Sequence, residues 1–310
     1  MNSKNAKMPS APINHRLPQV IQWTRQPEYA AARLEDYLAW TIVLPEIPAE
    51  SRPVEEHRAE FADSEVSYLG GPSLLASIED WPRNAHGKPL AHVMTLSLAS
   101  IAHGSASDEV FHSFPGAKDW LPKTGTLELF HDLETYGWEP DEKTVLGWQI
   151  RYRDVTQEGL ELCYGPEDLD LDLREGYGQL FLPESTIMLP SSLDIADTEP
   201  GAFEAAEAAI EQYLNMWQVY SIGEPSNDPS RFTHLYGRSL AGENAIRPTV
   251  EEVLTLEKEN DKHVLLMELA TSGALTGWFG DIHPLEVWMR ASDLENLAFE
   301  NAWCIIRSDC

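Results

Sequence analysis

The chain is predicted to fold as α+β, a single complex domain with two related strand-rich halves and an N-terminal helical arm. Three observations lead there. From Ser67 onward, short apolar runs are separated by Gly, Pro and Asp, the texture of strands and turns. Two longer stretches carry apolar residues at helical spacing instead. Segments late in the chain also repeat earlier ones, so one strand plan is used twice.

The elements follow in order. Residues 1–15 are a polar tail, and 16–60 hold the helical arm and a linker. In the arm, PEYAAARLEDYLAWTIV (27–43) spaces Ala30, Leu34, Leu38 and Ile42 along one helical face, with Pro27 suited to a first turn. Pro45 and Pro48 end it. The domain covers 61–310, in approximate halves 61–185 and 186–310. In the second half, EPGAFEAAEAAIEQYLNMWQVY (199–220) reads as a helix with a buried stripe of Phe203, Ala206, Ile210, Leu214 and Trp217. Glu204, Glu207 and Glu211 share another face. Residues 224–231 and 242–249 read as loops, and 292–301 as a short helix with Ser292 or Asp293 near its cap.

The repeat is carried by two pairs of segments. HVMTLSLAS (92–100) and HVLLMELAT (263–271) are identical at four of nine places. Leu127-Glu128-Leu129-Phe130 then matches Leu285-Glu286-Val287-Trp288. The first copy is longer between the two, and its extra residues fall around HGSASDEVFHSFPG (103–116). That segment is polar and punctuated by Gly and Ser, as an inserted surface loop is.

Composition narrows the function classes. A chain of 310 residues with 43% hydrophobic content and ten tryptophans buries a sizeable core. It has no apolar run approaching the roughly 20 residues that cross a bilayer, and its N-terminus lacks the apolar region of a secretory signal. Cys163, Cys304 and Cys310 have no paired spacing, which argues against a disulfide framework and a structural zinc site. A cytoplasmic protein is the expectation. Twenty-two basic residues face fifty-one acidic ones, for a net charge of −29. That field repels phosphate backbones and anionic membrane surfaces, so neither nucleic acid nor membrane is an expected partner. A basic protein is favoured, with its encounter steered. Solubility alone is the other reading of the charge.

Candidate chemistry is sparse. His131-Asp132 and Asp281-x-His283 fall at comparable places in the two copies, and an imidazole beside a carboxylate can bind a metal or act as a base. No second ligand spacing accompanies either, so no metal, cofactor or catalytic residue is expected. There is no G-x-S-x-G. Acidic neighbours disfavour a Cys163 thiolate, and Cys304 lies in the apolar run WCII. One stretch has the pattern of a binding surface. In PEDLDLDLREG, Asp168, Asp170 and Asp172 alternate with Leu169, Leu171 and Leu173. As a strand, this puts three carboxylates on one face for a cationic partner. It equally suits a charged edge strand guarded against aggregation, or a calcium loop. Together with Glu204, Glu207 and Glu211 it is the expected partner-binding surface.

The same chain carries a family resemblance. Gly70-Gly71-Pro72, Trp81-Pro82, Gly87, Leu121-Pro122, Gly125, Phe130, Gly280-Asp281, Trp288, Asp293-Leu294, Phe299 and Trp303 occur in an order that resembles the YwqG-like family of bacterial proteins, over about residues 66–310. The resemblance implies a complex α+β fold and a polar site where the family has a glutamine in each apolar strand. This chain has Thr95 and Glu268 there, so a polar cleft between the halves is expected near those two residues. Some relatives are associated with secreted antibacterial toxins. The resemblance therefore implies an immunity protein that neutralises a basic toxin encoded next to it by direct contact, with a nuclease as the particular case that an acidic surface suits. The alternative is a small-ligand-binding protein or enzyme using that cleft.

Overall fold

Two antiparallel sheets organise the computed structural model, which describes residues 17–44, 67–106, 109–114, 117–154, 161–174, 179–181, 183–195, 200–218, 233–271, 275–280 and 283–307. The predicted tail and the 224–231 loop lie outside these. In chain order the elements are α1 (Leu17–Thr24), β1 (Ala39–Val43), β2 (Tyr68–Leu69), β3 (Ser73–Leu75), β4 (Ala91–Ser97), α2 (Leu98–Ala106), α3 (Glu109–Ser113), β5 (Thr126–His131) and β6 (Trp148–Arg153). Then come β7 (Glu161–Cys163), α4 (Leu171–Arg174), β8 (Gln179–Leu180), β9 (Glu184–Met188), α5 (Ala202–Gln218), β10 (His234–Tyr236), α6 (Glu243–Val253), β11 (His263–Leu269), β12 (Leu285–Arg290), α7 (Ala291–Glu295) and β13 (Trp303–Ile306).

The first sheet runs β6-β5-β4-β2-β8 and the second β13-β12-β11-β10-β1-β9, while β3 and β7 form a small pair. The first order maps onto the second, strand for strand, with β9 as an added edge. Registers agree as well. Tyr68, Thr95, Glu128 and Arg151 lie in one row across the first sheet. His234, Glu268, Glu286 and Ile305 make the matching row of the second. Each sheet breaks register at the same point, between His92 and Met94 in one and Leu265 and Met267 in the other. A side chain bond recurs too: Ser67 Oγ accepts from the Ser97 amide at 2.8 Å, and Thr233 Oγ1 from the Ala270 amide at 3.2 Å. The duplication is thus one of backbone geometry. Its register differs by two residues from the best sequence match, which pairs His92 with His263.

Strand alternation gives each sheet two faces. Met94, Leu96, Leu127 and Leu129 of one merge with Met267, Leu269, Leu285 and Val287 of the other in a common core. The opposite faces have separate covers. Phe130 packs with Trp81, Leu75, Leu90 and Leu169, and Trp288 packs with Ile246, Val250 and Leu254.

Several predicted elements are replaced. The 27–43 helix does not form: Arg33, at φ 47°, separates two short 3-10 turns, and Trp40-Thr41-Ile42-Val43 becomes a strand inside the second sheet. The aromatic and β-branched make-up of that run outweighs its helical spacing. Among the described residues the α-helical part of the arm is therefore α1. The predicted 242–249 loop is the first part of α6 despite Pro248. Ile246, Val250 and Leu254 repeat every four residues into the core, and Asp194 caps the helix from outside by accepting the Glu243 and Asn244 amides at 3.1 and 2.8 Å. The insertion near 103–116 carries α2 and α3, and the latter sets Phe111 edge-on against Trp40 at 4.8 Å. Helix α5 stands as predicted, with its contact stripe displaced. Ala202, Ala205, Ala206, Ala209 and Tyr213 are buried, while Phe203 and Ile210 are half-buried. The predicted 292–301 helix divides into α7 and a 3-10 turn at Phe299–Asn301.

Candidate functional site

Buried polar side chains collect at two equivalent points, one on the covered face of each sheet. In the first half, Gly70 and Gly71 have φ of 62° and 74°, and this turn swings Ser73 over β5. Ser73 Oγ donates to Glu128 Oε1 at 2.6 Å and the Leu74 amide donates to the same oxygen at 3.2 Å. Arg153 Nη2 lies 3.0 Å from Glu128 Oε2, and its Nη1 donates to the Leu74 carbonyl. One carboxylate and one guanidinium thus pin the turn to the sheet.

The second half repeats the device. Tyr236 and Gly237 have φ of 59° and 79°. A Cβ on Gly237 would lie 2.9 Å from Met188 Sδ and 3.0 Å from Thr41 Cβ, so the close approach of β1 and β9 requires glycine. Ser239 Oγ donates to Glu286 Oε1 at 2.6 Å, Arg307 Nη1 donates to it at 2.8 Å, and Trp288 Nε1 donates to Oε2 at 2.7 Å. Arg307 Nη2 also donates to the Ala241 carbonyl at 2.9 Å. The tyrosine at the αL position has a second use. Its hydroxyl accepts from the Trp120 and Leu121 amides at 3.0 and 2.9 Å and donates to Asp119 at 3.0 Å, which ties the first half to the second.

Thr95 and Glu268 occupy the same sheet position in the two clusters. Both are buried. Thr95 bonds to His92 Nε2 at 3.0 Å, and His92 Nδ1 lies 3.2 Å from the Gly71 carbonyl, so the δ nitrogen carries the proton. Burial holds the His92 pKa down, consistent with a neutral ring. Glu268 Oε2 accepts the Leu240 amide at 3.0 Å, and His234 Nε2 lies 3.8 Å from Oε1. Burial, followed by the charge of Glu268, pushes the Glu286 pKa up to about 7. The expected common cleft is therefore corrected. Thr95 and Glu268 sit under different covers with the shared apolar core between them, because strand alternation sends both away from it.

The remaining candidates separate clearly. His131 is fully buried, stacked on Trp148 at 6.1 Å, and its Nδ1 accepts the Leu133 amide at 2.9 Å. Asp132 Oδ1 accepts the Glu134 and Thr135 amides at 3.0 and 2.9 Å. The pair shapes a turn. Asp281 lies outside the described residues, and His283 packs beside Gly280. Cys163 is half-buried with its pKa raised by burial and then by Glu161, and Cys304 is core. The predicted 168–173 strand is replaced by a turn and α4. Asp168 is held bidentate by Arg83 at 2.7 and 2.9 Å, and Asp170 accepts the Asp172 amide at 3.0 Å. Leu169 is buried but Leu171 is 53% exposed, so the leucines do not share a face. Glu204, Glu207 and Glu211 are exposed along α5, and Asp168, Asp170 and Asp172 are exposed in the turn and α4. Among the described residues no group of three or more His, Cys, Asp or Glu side chains is placed to hold a metal, and no helix is long and apolar enough to cross a membrane.

Ser73, Glu128 and Arg153, with Ser239, Glu286 and Arg307, are absent from the sequence-based candidates. A signal existed: Leu69-Gly70-Gly71-Pro72-Ser73-Leu74 and Leu235-Tyr236-Gly237-Arg238-Ser239-Leu240 share the pattern L-x-G-x-S-L. A search of curated proteins finds no match. Residues 67–310 match a family described as a domain of unknown function, DUF1963, and the chain belongs to that family.

Proposed function

We propose that the protein is a non-catalytic protein-binding module, most concretely an immunity protein that neutralises a basic antibacterial toxin by direct contact. One observation carries the reading. Glu204, Glu207 and Glu211 project from α5 with no cationic partner among the described residues, on a chain of net charge −29. Like charges at these spacings cost an isolated helix about 0.2–0.5 kcal/mol per pair, a cost that a cationic surface relieves. Most polar groups of the two buried clusters, by contrast, are hydrogen-bonded to one another, Glu128 Oε2 and His234 Nε2 being the exceptions, which favours a structural role over a catalytic one. The YwqG-like resemblance, with its toxin-associated relatives, supports the same reading. The nuclease version follows from charge, since a cleft made for phosphate is basic.

The test titrates the toxin-like product of a neighbouring gene with the wild type and with the variant E204K/E207K/E211K, at low and physiological salt. The expected result is association slowed at least tenfold by the variant at low salt, with dissociation little changed. Equal association rates at both salts would remove α5 as the docking face. No complex at all would remove the toxin reading for that partner.

A further inference from the structure

The two sheets end in equivalent edge strands, β6 and β13, and among the described residues only β13 is closed. In the second sheet the Arg307 amide donates to the Pro284 carbonyl at 3.0 Å, so Trp303, Ile305 and Arg307 bond inward to β12 while Cys304 and Ile306 face out. A segment of the first half covers that outward row. The Tyr136 carbonyl accepts the Ile306 amide at 2.9 Å, and Trp138 Nε1 donates to the Ile306 carbonyl at 3.0 Å. Gly137 lies so close that a Cβ there would be 1.9 Å from the Cys304 carbonyl oxygen.

In the first sheet the Asp132 amide donates to the Gly147 carbonyl at 2.7 Å, in register with the β5–β6 ladder. Gln149, Arg151 and Arg153 therefore bond inward, and Ile150 and Tyr152 turn their amides and carbonyls outward. These are the counterparts of Cys304 and Ile306. Among the described residues no hydrogen bond reaches either amide. The loop after β12, residues 291–302, is shorter than the loop after β5, residues 132–147, and where the cover would lie there is a groove of about 620 Å³. Ile150, Arg151, Tyr152 and Arg153 form one wall and Leu297, Phe299 and Glu300 another, and Asp80 lines the groove beside Arg151. Arg153 is neutralised by Glu128. Arg151 donates to the Asp80 carbonyl and Gln149 and lies over the Phe130 ring, and it has no carboxylate ion pair among the described residues.

We propose that β6 is a strand-acceptor edge for a partner protein's extended acidic segment, which bonds to the Ile150 and Tyr152 backbone, places a glycine against Ile150 and sets a carboxylate on Arg151. The closed edge is the template for backbone and glycine, and the unpaired guanidinium supplies the charge. This inference is independent of the α5 reading, because it rests on another surface and the opposite charge.

The probe is the chain's own covering sequence, LETYGWEPD, as a free peptide with blocked ends. Amide exchange is followed by NMR in the intact protein. At low protein concentration without peptide, Ile306 is expected to be protected and Ile150 and Tyr152 to exchange at least tenfold faster. Saturating peptide is expected to slow Ile150 and Tyr152 at least tenfold. The peptide carrying Val in place of glycine, and the protein variant Tyr152→Pro, which removes the outward amide together with the ring packed on Phe299 and is read at Ile150, are expected to abolish this effect. Arg151→Gln is expected to weaken peptide affinity about fivefold to tenfold. Protection of both amides in the dilute free protein would overturn the proposal, since the edge would already be filled. So would protection that rises with protein concentration alone, which identifies a second copy as the occupant, or unchanged exchange at millimolar peptide.

Discussion

Glu128 and Glu286 hold the same place in two sheets, yet they live in different company. Across the ladder from Glu128 stands Thr95; across from Glu286 stands Glu268. Glu128 has Arg153 at 3.0 Å and Arg151 across the ladder, whereas Arg307 is the one arginine beside Glu286 and Glu268 among the described residues, so the second cluster has a carboxylate in excess. The difference shows in the proton affinity of Glu286, raised to about 7. A backbone plan can thus be copied while its electrostatics diverge. Ser, Glu and Arg keep the turn in place in both halves, and the fourth position sets how the cluster responds to pH.

The largest expected effect comes from removing the cation. Arg307→Ala leaves two buried carboxyl groups without their guanidinium and should cost about 3–5 kcal/mol in urea unfolding near neutral pH. Arg153 is 18% exposed beside an open groove, where water can replace it. Arg153→Ala should therefore cost less, about 1–3 kcal/mol. Equal losses would break the comparison.

The acid limb of stability should belong to the first half. Burial lowers the His131 pKa to about 4 against an ordinary 6.5. The folded state then binds fewer protons than the unfolded chain, so its contribution is full above pH 6.5 and is lost as pH falls through about 4. The expected loss is about 3 kcal/mol. His131→Phe should flatten the pH dependence of urea unfolding between those limits, whatever it does to absolute stability. An unchanged slope would assign the acid limb elsewhere.

Tyr236→Phe removes the hydroxyl that receives two amides of the first half, and should cost about 1–3 kcal/mol by thermal or urea unfolding. Little or no loss would show that the hydroxyl does not tie the halves together. The smallest effect is expected at Leu171. The alternating pattern made it a core leucine, but it is exposed, and Leu171→Asp should stay within about 0.5 kcal/mol. A loss of several kcal/mol would restore the strand at 168–173.

Much of this plan was legible in the sequence. The strand-and-turn texture from Ser67 onward and the acidic face of α5 follow from local chemistry, and the structure retains them. What failed had tertiary causes. Trp40–Val43 has helical spacing, but a vacant place between β9 and β10 makes it a strand. Pro248 marked a loop, yet an apolar face and a cap borrowed from Asp194 sustain α6. Asp168–Leu173 alternates with period two, but Arg83 holds Asp168 in a turn. The Ser–Glu bonds of the two clusters join residues 55 and 47 positions apart, and the Leu-Glu repeat that contains both glutamates has the pattern of ordinary strand sequence.

Among the places where the two rows differ, Glu268 in place of Thr95 is the one that sets a second carboxylate beside Glu286. The direct measurement is unfolding free energy against pH for the wild type and Glu268→Thr. Glu286 has a folded pKa near 7 and an ordinary value of 4.5, so its contribution is full below 4.5 and is lost as pH rises through 7. The wild type should lose about 3 kcal/mol across that window. Glu268→Thr removes the second cause of the raised pKa and leaves burial, so it should lose less of it and should be more stable than the wild type at pH 8. Parallel curves for the two proteins would contradict the account.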